Sequence, residues 1–108
     1  MARSLDLDQT LEAVRSGRAV WRLHALRRMV ERGISRVVVV EAIERGEVIE
    51  DYPDDTPYPS CLVLGFVEER PLHVVLGYDA SGRDACIITV YEPSPDKFES
   101  DWRTRRKP

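Results

Sequence analysis

The 108-residue chain has few of the residues from which common enzyme motifs are built. It has two cysteines, Cys61 and Cys86, far apart and each inside an apolar, strand-like run. Two buried thiols in a reducing compartment are the simpler reading; a disulfide or a metal site is the weaker one. There is no glycine-rich phosphate loop, no nucleophile elbow and no close His/Cys pair with zinc-ligand spacing, so no metal or cofactor is expected. No apolar run approaches the length of a membrane span, and the opening residues Met1 to Asp8 lack the apolar stretch of an export signal. A cytoplasmic location without a membrane partner is therefore expected. There is no internal repeat and no linker. Residues 1–102 read as one domain, large enough for a single core, and residues 103–108 as a basic, mobile tail.

Basic charge is also in deficit, with a formal net charge of −3, which argues against a simple basic nucleic-acid binder. The distribution is more informative than the sum. Residues 1–36 carry eight arginines against four acids, and the tail from Arg103 carries four basic residues and no acid. The middle, residues 37–102, holds fifteen acids against four basic residues. Such segregation can give an acidic protein a local positive surface, or the arginines can simply solvate helix faces.

Asp8 is a plausible cap for a first helix with Leu7, Leu11 and Val14 inward and Gly17 at its end. A second helix is expected from about Arg22 to Arg32, stopped by Gly33. Leu23, Leu26, Met29 and Val30 would supply its buried side, and His24, Arg28 and Arg32, four apart, its polar stripe. Ser35 caps a third helix, with Ile34 and Val39 placed as a hydrophobic staple. Val37 to Val40 alone would suggest a strand, but the serine cap, Glu41 to Arg45 and Gly46 favour the helix. Val48-Ile49 begins a short strand, and Asp51 to Pro59 reads as an irregular loop broken by three prolines. Cys61 to Val67, Leu72 to Tyr78 and Ala85 to Tyr91 follow as hairpin-linked strands. The layout is α+β, with three N-terminal helices on one face of a small, mainly antiparallel sheet of about four strands.

A titratable imidazole among guanidiniums, on His24, Arg28 and Arg32, suits proton transfer beside a polyanion. Thr89 and Tyr91 share one face of the last strand, and His73 stands on the strand before it. If that face meets the helix bearing His24 and Arg28, the set can cleave RNA. One group takes the 2′-hydroxyl proton, another protonates the 5′-oxygen, and arginine stabilises the phosphate charge. Each residue also has a duller role. His24 can be a packed or capping group, His73 a core histidine, Thr89 and Tyr91 ordinary strand residues, and Arg28 and Arg32 partners of nearby glutamates. Arg103, Arg105 and Arg106 add phosphate-binding charge on the tail.

Four blocks together resemble a bacterial family. They are His24 to Ser35, Gly46 to Pro53, Arg70 to Val75, and Ile87 to Pro93. The family is a domain of unknown function grouped with the RelE-like toxins. The resemblance spans roughly residues 20 to 95. It implies a RelE-like fold of the barnase–EndoU–colicin–RelE group and a metal-independent endoribonuclease toxin. It also implies a partner antitoxin, often bearing a Cys-x-x-Cys zinc ribbon, and carries over His24, Arg28, Arg32, His73, Thr89 and Tyr91. The acidic balance departs from the basic character of such toxins, which favours the alternative of a non-catalytic protein-interaction domain on the same fold. For His73 and Thr89 to share a site, the last hairpin must take an odd register. A two-residue turn at Ser81-Gly82 would set His73 opposite Val90, on the wrong face. A one-residue bulge, or an odd-length loop within Asp79 to Asp84, corrects this, and Gly82 suits the positive φ of a bulged turn.

Overall fold

The computed structural model describes residues 5–107. The chain runs α1 (Leu7–Arg15), β1 (Ala19–Trp21), α2 (Leu23–Arg32), α3 (Arg36–Arg45), β2 (Glu47–Tyr52), β3 (Ser60–Val67), β4 (Arg70–Asp79) and β5 (Asp84–Tyr91). Among the described residues it is an α+β domain with three helices, but its sheet has five strands in the order β1-β5-β4-β3-β2. β1 lies between the first two helices and runs parallel to β5, so the sheet is mixed and the helices do not all precede the strands. None of the described helices is long and apolar enough to cross a membrane.

The helix caps follow local chemistry. Asp6, not Asp8, caps α1, because its carboxylate is the one that reaches the Gln9 backbone N–H, at 3.1 Å. The face that α1 buries is Thr10, Ala13 and Val14, which leaves Leu7 exposed. Gly33 ends α2 in the left-handed conformation, at φ 66°, where a side chain would be strained. Ser35 caps α3 through the Val38 N–H, so the valine run is helical as its cap and its following residues imply.

All three helices pack on one sheet face. Ala13, Val14, Ala25, Met29, Val39, Ala42 and Ile43 meet Cys61, Val63, Leu72, Val74, Leu76, Ile87 and Val90 in a single core. Gly65 lets α3 approach closely, since a Cβ there would stand 2.4 Å from the Ala42 carbonyl oxygen. The opposite face carries Leu62, Leu64, His73 and Cys86, and is also buried. Tyr58, in the loop after β2, covers Gly77, while the residues after β5 return across the sheet and seat Phe98 on His73. β2 extends to Tyr52, so Asp51 and Tyr52 pair in the sheet instead of opening the loop.

The β4–β5 register takes the odd form, but by a different device from the one expected. Asp79 pairs with Asp84, an even turn, and Gly82 does not have positive φ; Arg83 does, at φ 57°. The extra residue lies inside β5. Leu76 pairs with Ile87 and Val75 with Thr89, which leaves Ile88 as a bulge. From there His73 stands opposite Tyr91, on the same face as Thr89.

Candidate functional site

The bulge at Ile88 is what allows His73 to meet Tyr91. The His73 ring is fully buried, with Nε2 2.7 Å from the Trp102 carbonyl oxygen and Nδ1 3.2 Å from the Tyr91 hydroxyl. A carbonyl can only accept, so Nε2 carries the proton and the Tyr91 hydroxyl donates to Nδ1. Phe98 and Tyr91 stand edge-on to the imidazole, with ring centres 4.6 and 5.2 Å away. Burial lowers the His73 pKa, against the opposing pull of the Trp102 carbonyl and of Glu50. Burial likewise raises that of Tyr91. Both groups are therefore held neutral at pH 7.

Beside this pair lies a second polar cluster. Arg105 donates to both oxygens of Glu50, at 2.7 and 3.0 Å, and the Tyr52 hydroxyl donates to the same carboxylate. The Arg105 guanidinium holds Glu50 below the usual carboxylate range, while burial, with Glu50 beside it, pushes Tyr52 up to about 12. Arg105 also stacks over Phe98. The chain from Ser94 to Arg106 folds back on itself, with Phe98 bridged to Arg105 and backbone bonds from Glu99 to Thr104 and from Arg106 to Lys97. We call residues 93–107 the arm. Expected as a mobile basic tail, its end is tied down instead: Arg103 pairs with Glu47, Arg105 with Glu50, and Arg106 with Glu99. The acids of the middle segment come within reach of it, so its arginines are neutralised by the protein itself. Pro108 lies outside the described residues.

The helical half of the expected site is elsewhere. α2 packs through Ala25 and Met29 into the core on the other side of the sheet. The face bearing His73, Thr89 and Tyr91 is therefore not the one that the helices cover. His24, Arg28 and Arg32 form an exposed stripe on α2, and none of the hydrogen bonds or ion pairs among the described residues engages their side chains or links them to His73, Thr89 or Tyr91. Thr89 is half-buried opposite Val75. The apolar side of α2 is also not as expected, because Leu23 and Val30 face solvent. No three His, Cys, Asp or Glu side chains converge as metal ligands among the described residues.

Sequence reasoning missed Glu50, Tyr52, Phe98 and Trp102, which build the surroundings of His73. It also missed Arg22, whose guanidinium donates to the Tyr58 hydroxyl at 3.2 Å. Glu50 and Tyr52 do lie in the Gly46 to Pro53 block. Nothing local marks Phe98 or Trp102, because their partners are on β4.

Fold and site together define a small α+β domain with an arginine-rich exposed helix and a histidine–tyrosine pair sealed under a C-terminal arm. The chain belongs to the family described as a domain of unknown function (DUF4258), whose model matches residues 21–92. The match runs from the end of β1 through β5 and leaves α1 and the arm outside it. The chain matches no curated protein and no solved structure.

Proposed function

We propose that this domain is a metal-independent endoribonuclease toxin of a bacterial toxin–antitoxin pair, cytoplasmic and with a RelE-like fold, held in check by a protein antitoxin. The observation that carries the reading is the α2 stripe. His24 stands exposed at the head of a helix surface on which Arg27, Arg28 and Arg32 have no carboxylate partner among the described residues. An RNA phosphate would supply the missing negative charge. In this reading Arg28 and Arg32 clamp the scissile phosphate, and His24 takes the 2′-hydroxyl proton as its oxygen attacks the adjacent phosphorus. The 5′-oxygen departs as the phosphorus–oxygen bond breaks and takes a proton from water, leaving a 2′,3′-cyclic phosphate; the arginines bear the growing charge. The sealed His73 and Tyr91 hold the sheet and take no part in proton transfer while the arm is closed.

Purified chain incubated with single-stranded RNA and a chelator tests this. Cleavage should occur and should fall about 100-fold or more in His24→Ala, the usual scale for a general acid–base group. His73→Gln should retain it if folded. An intact substrate, or equal cleavage by the His24 variant, would refute the assignment.

The second reading is a non-catalytic protein-interaction domain. Two features favour it: the burial of His73 under the arm, and the outward-facing Leu23 and Val30, which are of no use to phosphate chemistry. Binding of a protein partner with no RNA cleavage under any condition would establish it.

A further inference from the structure

The arm is joined to the sheet in a way that lets it lift without losing its own fold. Its backbone hydrogen bonds are internal: the N–H groups of Phe98, Glu99, Trp102 and Arg106 donate to Ser94, Thr104, Glu99 and Lys97. Asp101 holds its turn by accepting from the N–H groups of Arg103 and Thr104. Among the described residues, no backbone–backbone hydrogen bond joins the arm to the sheet. Pro93 and Pro95, which have no N–H to give a ladder, form the joint after β5. An open cleft of about 230 Å³, lined by Val48, Ile49, Arg103 and Thr104, remains between the arm and β2.

What docks the arm is a set of contacts of the kind a bound peptide makes. Phe98 lies edge-on to the His73 ring, the Trp102 carbonyl oxygen accepts from His73 Nε2, and Arg105 and Arg103 pair with Glu50 and Glu47. The family match ends at Glu92, so Glu50, Tyr52, His73 and Tyr91 lie within the matched domain and their cover lies beyond it. Lifting the arm takes Arg103 and Arg105 away and leaves the two glutamates bare beside the His73 N–H and the tyrosine rings. Such carboxylates repel a phosphate and attract a guanidinium, which favours a cationic peptide over RNA. We propose that this sheet face is a peptide-binding site that the arm closes from within the same chain. From a partner protein it takes a segment with an aromatic ring for the His73 edge, a backbone carbonyl for Nε2 and an arginine for Glu50. The site requires no RNA cleavage and so goes beyond the chemistry assigned to α2.

A fluorescein-labelled peptide of residues 93–107 tests the proposal by anisotropy against the full chain. In the parent, the chain's own arm should largely exclude it. Phe98→Ala withdraws the anchor of that arm, and the peptide supplies the missing ring. The full-length variant should bind at least about 100-fold more tightly than the parent, and the peptide should raise its melting temperature. A peptide carrying Arg105→Ala, or one of scrambled order, should bind at least about ten-fold more weakly. Should Phe98→Ala fail to fold, the Arg103→Ala, Arg105→Ala chain takes its place, with an expected gain over the parent of about five-fold or more. No binding to a folded variant, equal binding of the scrambled peptide, or a peptide bound as tightly by the parent would overturn the proposal. So would displacement of the peptide by single-stranded RNA, which would give the face to a nucleic acid. A sedimenting dimer of the parent that the peptide dissolves would overturn it too, giving the face to a second copy's arm.

Discussion

Two sets of arginines in this chain look alike as composition and behave oppositely in the structure. On α2, Arg27, Arg28 and Arg32 extend into solvent and form no ion pair among the described residues, Glu31 being the one acid on that helix. On the arm, Arg103, Arg105 and Arg106 each meet a glutamate, two of them on β2. The difference lies in what the fold places opposite each set. α2 sits over β5 and the core, whereas the arm folds back across the acidic β2 edge. A run of basic residues thus stays free to bind only where the fold does not pair it with the protein's own carboxylates. The arm's arginines close the sheet face over His73, and the helix's arginines stay without an ion pair among the described residues.

The strongest way to test that division is to remove the anchor of the arm. Phe98 is 2% exposed and packs edge-on to His73. Phe98→Ala should cost about 3–5 kcal/mol, the range for a large buried aromatic. Arg28→Ala and Arg32→Ala should stay within about 0.5 kcal/mol of the parent, as exposed unpaired residues do. Denaturant unfolding measures both. A Phe98 variant as stable as the parent would mean that the arm is an ornament on a finished domain.

RNA binding separates the two sets from the other side. If α2 holds the phosphates, the Arg28→Ala, Arg32→Ala double variant should lose about two contacts. The slope of log affinity against log salt should then fall by about 1.4 for single-stranded RNA. Removing the chain from Arg103 onward should leave the slope unchanged, because those guanidiniums are already neutralised. The reverse pattern would restore the arm as the phosphate-binding element.

How far the sequence foretold this arrangement depends on the range of each interaction. α2 and α3 were legible because their signals are local: Gly33, the Ser35 cap and the run of helix formers up to Arg45. The three antiparallel strands were legible from alternation and turns, and the odd register followed from asking that His73 and Thr89 share a face. The bulge itself was placed wrongly, since Gly82 invited it and Ile88 supplies it. β1 was missed because three residues give no period, and their partner strand is more than sixty residues downstream. The arm was misread because what holds it, Trp102 to His73 and Arg105 to Glu50, is long-range pairing that composition does not reveal. Leu23 and Val30 were assigned inward by helical period alone, and the period says nothing of how wide a face the core can cover.

A subtler effect should appear with pH. The His73 pKa is lowered from 6.5, first by burial, so below pH 6.5 the unfolded chain binds a proton that the folded chain resists. Its contribution to stability is whole above pH 6.5 and is lost as the pH falls toward the folded value. Glu50, lowered from 4.5 mainly by Arg105, adds its own loss only at more acid pH. Thermal melts should therefore decline in two steps, the first absent from His73→Gln. A flat profile between pH 6.5 and 4.5 would indicate that the imidazole is reached by water and the arm is open.

The smallest effects should rank the arm's ion pairs among themselves. Arg105 makes a two-pronged bond to a Glu50 that is largely shielded, and its guanidinium also covers the Phe98 ring. Losing it breaks a charge-assisted pair, strips a hydrogen-bond partner from a half-buried carboxylate and uncovers an aromatic face. Arg106 and Glu99 are both well exposed and meet at 3.2 Å, where water and salt screen the attraction. Arg105→Ala should therefore cost about 1 kcal/mol, and Arg106→Ala no more than about 0.5 kcal/mol. Both losses should shrink as salt rises, Arg105's less, because Glu50 is partly out of solvent. A Glu50→Gln, Arg105→Ala double variant should be no less stable than Arg105→Ala alone, since the carboxylate left behind would no longer need a partner. If the double variant instead loses the sum of both single costs, Glu50 and Arg105 hold the arm through separate contacts and the pair is not its clasp.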